Sequence, residues 1–549
     1  MKRLPIGIEN FKAMIDEGYY YVDKTKFIKD VLNEKVILYT RPRRFGKTLN
    51  MSMLYYFFSI KEKENAYLFD KLDISNDSSA LLQQHSYPVI FITLKDMKRA
   101  DYSMQIEKFG SIISDIVNAN LELLDSSMLN AAQKNLLIEY QNGTATVSNL
   151  MDALFKISTC MQLHYQKKVI ILIDEYDVPL QTAYLNGYYD EMVDFLRNVF
   201  SAALKSNDAL EKGILTGCLR IAKESIFTGL NNFKVNSIFD EASNQQFGFT
   251  QMEIDTLLLD YQVSEYQSTM KEWYDGYQFG GCDIYNPWSA LMYMDKVSNT
   301  SRKTPESFWA NTSGNDIIYR YIKEANPVMR EEFDILASGG IIEKIIKDDI
   351  TYREMGQINN VYSFLLYTGY LKAVKCVSEE ENRYQLMIPN KEIKRIYITI
   401  FHEWFNEQIE HSGASFMEAL IKEDVKQAND ILNQILFQSI SYFDYDEKFY
   451  HGVLIGLLNQ YHVVSNQETG LGRSDIAVLP PSRLSRGVIL ELKVATTVVN
   501  LKPMARKACE QIVKQKYIEG LYAYGYEDII GYGIAFYKKS CVITALKDI

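Results

Sequence analysis

Disulfide and zinc chemistry are the first things this sequence lacks. Its six cysteines (Cys160, Cys218, Cys282, Cys376, Cys509 and Cys541) are scattered, with no CxxC pair. They read as reduced thiols, with neither a disulfide frame nor a metal knuckle. The six histidines show no metal spacing, and His402-Glu403 lacks the second histidine of a zinc-protease helix. No stretch approaches the roughly 18 uninterrupted apolar residues of a membrane-spanning helix. The opening Met1-Lys2-Arg3-Leu4-Pro5 soon turns polar, which predicts no signal peptide and a cytoplasmic protein. Internal repeats and low-complexity tracts are absent too.

What is present is a globular composition, 47% hydrophobic and 23% charged, with 39 Tyr and 27 Phe to fill cores. A chain of 549 residues outgrows one hydrophobic core, which stops growing near about 250–300 residues. Two or three domains are expected. The net charge of −11 counts against a protein that coats nucleic acid with its whole surface, though a local basic groove stays open.

Short β-branched runs at 36–39, 89–92 and 169–173, with another at 213–217, alternate with helical patterns at 104–124, 147–165 and 188–205. Buried strands alternating with helices predict a doubly wound parallel sheet, an α/β domain over residues 1–235. Residues 236–410 read as mostly helical. Within them a helix at 362–367, a strand at 370–377, a polar turn and a strand at 383–388 suggest a winged-helix-like unit, read as a lid or packing module ahead of one that enters DNA. A helix follows from Asn390, then two short helices at 415–421 and 425–437. Residues 411–549 are expected to hold a helical lead-in and a C-terminal α/β fold, with a helix at 502–517 and last strands near 532–537 and 541–546.

Between the first strand and its helix stands Arg41-Pro42-Arg43-Arg44-Phe45-Gly46-Lys47-Thr48. A loop that cradles phosphates needs inward backbone N–H groups, a lysine for the β/γ-phosphates and a hydroxyl for Mg2+. Gly46, Lys47 and Thr48 meet those needs, and the helix N-terminus adds a favourable dipole. Arg41 replaces the usual first glycine, and alone the triplet is equally an ordinary basic helix start. Asp174 and Glu175, ending the apolar run 169–173, supply the missing half: an Asp for Mg2+ and a Glu to orient attacking water. Thr216 at the end of the next strand is a candidate γ-phosphate sensor, and Arg220 a candidate to neutralise the transferred phosphoryl. A polar strand end and a solvated arginine would look the same.

These motifs, with Leu4-Pro5-Ile6-Gly7-Ile8, Tyr21-Val22-Asp23-Lys24-Thr25, residues 225–232, Trp273-Tyr274-Asp275-Gly276-Tyr277 and Tyr285-Asn286-Pro287-Trp288, resemble the family of AAA-ATPase-like domain proteins. The resemblance implies ATP binding with Mg2+ through Arg44, Phe45, Gly46, Lys47, Thr48, Asp174, Thr216 and Arg220. It also makes the arginine in place of the first glycine ordinary.

Downstream, Gly472-Arg473-Ser474-Asp475-Ile476-Ala477-Val478 reads as a turn entering a strand, and Gly487-Val488-Ile489-Leu490-Glu491-Leu492-Lys493 as a second strand. Alternation places Glu491 and Lys493 on one face, and a hairpin would bring Asp475 beside Glu491. Paired carboxylates and an ammonium suit one or two Mg2+ ions acting on a phosphodiester, although Glu-x-Lys also fits a plain salt-bridged strand. With Gln511 and Tyr517 on the following helix, Phe449-Tyr450-His451-Gly452 and residues 465–473, the segment is similar to the PD-(D/E)XK nuclease superfamily, in the branch fused to the ATPase family. By that resemblance Asp475, Glu491 and Lys493 are the catalytic core, Asp475 and Glu491 the metal ligands, and Glu447, Glu468 and Gln511 helpers. Lys502, Arg506, Lys507, Lys514 and Lys516 face either a DNA backbone or plain solvent.

The expected protein is an ATPase joined to a Mg2+-dependent nuclease acting on DNA, without a membrane and with a homo-oligomer left open. Two rivals are a nucleotide-driven switch that binds without cleaving, and a signalling ATPase whose C-terminal part assembles oligomers.

Overall fold

The computed structural model describes residues 2–205, 207–220, 233–309, 321, 325–348, 350–356, 358–438, 446–469, 472–480, 482–523 and 525–548. Residues 225–232 of the family motifs, the pair 470–471 and the side chains of Glu468 and His402 fall outside them. The chain divides into two compact units, residues 1–315 with 341–395, and residues 316–340 with 396–549.

In the first unit the apolar runs become strands of one sheet: β1 (Val36–Thr40), β2 (Val89–Thr93), β3 (Val169–Asp174), β4 (Leu210–Gly217) and β5 (Phe233–Asn236). Their order is β2-β3-β4-β1-β5, all parallel. Every residue of β1 and β3 is buried, as continuous β-branched runs covered on both faces require. The register aligns Thr40 with Gly217 and Thr93 with Asp174, so the strands end together along one edge of the sheet. Ligands of open parallel sheets gather at such carboxyl ends. Helix α1 (Lys47–Phe58) leaves that edge directly after β1, with Gly46 as its N-cap in the left-handed region at φ 82°.

The same unit carries the hairpin β6 (Tyr277–Phe279) and β7 (Cys282–Ile284), then β8 (Ile342–Ile345), a helix over Ile358–Tyr367, β9 (Lys372–Ser378) and β10 (Arg383–Met387). The helix-then-hairpin pattern is present, and β8 adds a third strand on β10.

Helix α2 (Lys391–Ile421) corrects the expectation of a separate short helix at 415–421. Gly413, just before the expected start at 415, is itself helical. A Cβ there would lie 2.2 Å from the Leu457 carbonyl oxygen, so the glycine permits close packing and does not end the helix.

The second unit holds β11 (Val463–Thr469), β12 (Gly472–Val478), β13 (Gly487–Val494), β14 (Ile529–Tyr537) and β15 (Ser540–Ala545), paired in chain order. Only the β13–β14 pair is parallel. Helix α3 (Glu447–Leu457) is capped by Asp446, whose carboxylate accepts the Phe449 N–H at 2.8 Å. Helix α4 (Leu501–Lys514) stops short of the expected 517, because Lys516 turns left-handed at φ 54° and Tyr517 opens a new helix. Among the described residues no helix is long and apolar enough to cross a membrane.

Candidate functional site

Two groups of polar residues stand where the two strand ends place them, one in each unit. In the first, the loop from Arg41 to Gly46 curls back over the start of α1. Arg44 at φ 69° and Gly46 at φ 82° supply the left-handed turns. Lys47 is almost wholly buried. Its ammonium donates to the Arg41 and Pro42 carbonyls at 3.2 and 3.1 Å and meets Glu175 at 3.2 Å. Burial works to strip its proton, but Cys218, Glu175, Asp177 and Asp174 outweigh that and hold it above its usual range.

Asp174, at the end of β3, is fully buried and accepts three hydroxyls: Thr216 at 2.6 Å, Thr48 at 2.8 Å and Thr93 at 3.3 Å. Burial, then the neighbouring Glu175, pushes its carboxyl up to about 6. Because β4 lies between β1 and β3, Thr216 is the residue that ties the acidic strand to its neighbour. Glu175 itself sits at φ 55°, with its N–H directed at the Thr216 hydroxyl, 3.4 Å away.

The side chains of the loop divide. Gly46, Lys47, Thr48, Arg44 and Glu175 line a cavity of about 350 Å3. Arg44 lays its guanidinium 4.6 Å from the Trp288 ring. Phe45 reaches that cavity too, but its ring packs against Tyr277 and Phe279 in the core. Arg41 turns away completely: it is fully buried, donates to the Asn236 carbonyl at 3.0 Å and side-chain oxygen at 2.7 Å, and lies between Phe247 and Phe279. It anchors β1 to β5. Asp174 and Thr216 sit behind the cavity. Arg220 is exposed and outside its walls, and its carbonyl accepts the Ile350 N–H at 3.3 Å.

Several residues here were not assigned a role from sequence. Asp177 accepts the N–H groups of Cys218 and Leu219 at 2.9 and 3.0 Å, and burial followed by Glu175 pushes it up to about 6. The run Asp174-Glu175-Tyr176-Asp177 was the available signal. Arg43, Lys95 and Lys98 add cations to the cavity wall, while Pro5, Ile8, Phe249, Trp288 and Leu291 make its apolar side. Residues 4–8 and 285–288 stood out as motifs without a stated purpose; the cavity supplies one.

In the second unit β12 and β13 pair antiparallel, with Ile476 opposite Leu490, which leaves Asp475 beside the 491–492 step. The Asp475 carboxylate accepts the Leu492 N–H at 2.8 Å. Glu491 is 1% exposed, and Lys493 reaches back to it at 3.1 Å. Burial, then Asp475, raises the Glu491 carboxyl to about 7 against the pull of Lys493. Its Oε2 is buried with no hydrogen-bond partner. Asp475, Glu491 and Lys493 are thus brought together as the hairpin geometry requires.

His451 on α3 sets its Nε2 3.2 Å from the Asp475 carbonyl oxygen, so helix and strand are joined at the acid itself. Gln511 on α4 hydrogen-bonds Tyr517, a buried tyrosine raised by desolvation and by Glu491 and Asp475 nearby. Glu447 lies exposed in the first turn of α3. Among the described residues no group of three or more His, Cys, Asp or Glu is placed to hold a metal ion. A divalent ion at Asp475 and Glu491 would complete its shell with water, backbone or phosphate oxygens. The orphaned Glu491 oxygen fits that demand, since a buried anionic oxygen without a donor costs free energy until a cation or donor meets it.

Comparison with known proteins bears on both units. Residues 5–227 match the model of a family described as a predicted AAA-ATPase, and residues 445–545 match the PD-(D/E)XK nuclease superfamily. A protein of Azotobacter chroococcum mcd 1, described as an uncharacterized protein in the vnfD 5'region, is 25% identical over 401 residues. That similarity covers 72% of this chain and 68% of the relative. The chain therefore carries the two domains of the expected fusion, an AAA-ATPase-like one and a PD-(D/E)XK nuclease one.

Proposed function

We propose that the protein binds and hydrolyses ATP in its first unit and cleaves DNA phosphodiesters in its second. The observation that carries the cleavage reading is the buried, unpartnered Glu491 oxygen beside Asp475 and Lys493.

Lys47 and the loop N–H groups take the β/γ-phosphates, with the apolar wall from Ile8 to Trp288 left for the base. Phosphate oxygens replace Glu175 as the partner of Lys47, which frees Glu175 to orient water. Thr216 acts through Asp174, fixing its carboxylate by the 2.6 Å hydrogen bond. In the second unit Lys493 stands where it can orient the attacking water or offset charge on the phosphate. Gln511, tied to Tyr517, is a positioning residue at the rim. Thr48 with Asp174, and Asp475 with Glu491, would hold Mg2+, which when bound polarises phosphate oxygens and makes water a better nucleophile.

Plasmid nicking in Mg2+ should be lost in Asp475→Ala by at least about a hundredfold, since one metal ligand is removed. Equal nicking by wild type and variant would end the nuclease reading and favour a protein that binds without cutting.

A further inference from the structure

Helix α4 does more than cover the sheet. Its buried face is Leu501, Ala505, Ala508, Cys509 and Ile512. The opposite side, with the turn after it, exposes Lys502, Arg506, Lys507, Lys514 and Lys516 against one acid, Glu510. None of these five cations makes an ion pair among the described residues. Elsewhere in the same unit, Lys422, Arg486, Lys539 and Lys547 are paired with carboxylates. On a chain of net charge −11, a helix that keeps five unpaired cations on one side offers a local positive surface.

Helical spacing connects that surface to the carboxylates. Lys507 and Lys514 stand four residues before and three residues after Gln511, so they share its edge of the helix. Gln511 is hydrogen-bonded to Tyr517, which feels Glu491, Asp475 and Lys493. Cations therefore flank the one residue of α4 that leads into the acidic site.

We propose that the cationic side of α4 is the docking track for the substrate strand, holding successive phosphates on either side of the one presented at Asp475 and Glu491. This rests on the nuclease reading and adds the contact that supplies affinity. Cations on a helix face follow a polyanionic backbone by charge and leave the base edges unread, so the track predicts binding with little sequence preference.

The test is equilibrium binding of the full chain to fluorescent duplex and single-stranded DNA, in Ca2+ to suppress cleavage, across a salt series. Each phosphate neutralised contributes about 0.9 to the slope of log affinity against log salt on duplex, and about 0.7 on single strands. The triple substitution Arg506→Gln, Lys507→Gln, Lys514→Gln should make the duplex slope shallower by about 2–3. It should also weaken binding on the order of a hundredfold at 0.1 M salt. Charge-keeping Lys507→Arg with Lys514→Arg should restore both, and Glu491→Gln should bind with an undiminished slope. An unchanged slope in the triple variant, or no binding by wild type to either DNA, overturns the track. If the triple variant keeps its slope while wild type still nicks plasmid, the track fails and the nuclease reading stands. If the slope falls but Asp475→Ala nicks as well as wild type, the nuclease reading fails instead.

Discussion

Arg41 shows how one side chain can occupy a motif position without serving the ligand. Its guanidinium is pushed down to about 10 by burial, still charged at neutral pH, and its hydrogen bonds end on Asn236 and on the Thr40 carbonyl. Arg41→Ala would strand those oxygens and open a gap between Phe247 and Phe279. A loss of about 2–4 kcal/mol in chemical unfolding is expected. Nucleotide affinity measured on the folded fraction should change far less than in Lys47→Ala. Nothing local in the sequence reveals this role, because the partner lies 195 residues away. The placement of Lys47, Thr48, Asp174, Glu491 and Lys493 was legible, because strand ends and alternation are encoded by short segments. Gly46 was legible for the same reason. The orphaned Glu491 oxygen was not, since it depends on what three strands and a helix leave uncovered. A second residue-scale expectation concerns Glu392, fully buried, with one oxygen accepting the Trp309 N–H at 2.9 Å. Burial raises it from 4.5 to about 7. The stability it contributes is complete below about pH 4.5 and is lost as pH climbs through about 7, a swing of at most about 3 kcal/mol. Glu392→Gln should therefore raise the melting temperature at pH 8 and change it little at pH 5. Equal shifts at both pH values would contradict the assignment.

At the level of elements, the strands were the most readable part. β1 and β3 are built on the unbroken apolar runs 36–39 and 169–173, and their length, flanks and β-branching pointed to buried parallel strands. Their order was not readable, because a parallel sheet joins strands through long crossovers and β4 entering between β1 and β3 leaves no local mark. The run of one helix from Lys391 to Ile421 was not readable either, and only the nearby Leu457 carbonyl shows why Gly413 stands inside it. Gly533 on β14 works the same way: a Cβ there would lie 2.1 Å from the Ala505 carbonyl oxygen and 2.8 Å from the Cys509 nitrogen. Gly533→Ala should push α4 off the sheet at a cost of about 1–3 kcal/mol, read as a lower denaturant midpoint. Because Gln511 rides on α4, nicking should fall as well. Wild-type stability in this variant would mean that the helix has slack the geometry does not show.

Taken whole, the chain is two compact units with separate cores, each bearing one of the sites. Calorimetry should resolve more than one unfolding transition, because a single two-state event is not expected of such a chain. A non-hydrolysable ATP analogue at about one hundred times its dissociation constant stabilises the unit that binds it by about 2.7 kcal/mol. One transition should move and the other should hold, and in Lys47→Ala neither should respond. A shift of both by equal amounts would show that the units unfold together.

Glu175 gives the nucleotide site a particular kind of readiness. Its backbone sits at φ 55°, in a region that costs a side-chain-bearing residue about 1–2 kcal/mol. It is pinned there by the Thr216 hydroxyl beneath its N–H and by the Thr216 carbonyl accepting from Tyr176 at 3.0 Å. With the main chain fastened on both sides, its carboxylate can change partners only by swinging about its own bonds. The proposed exchange from lysine to water would then need a side-chain rotation alone and no loop rearrangement.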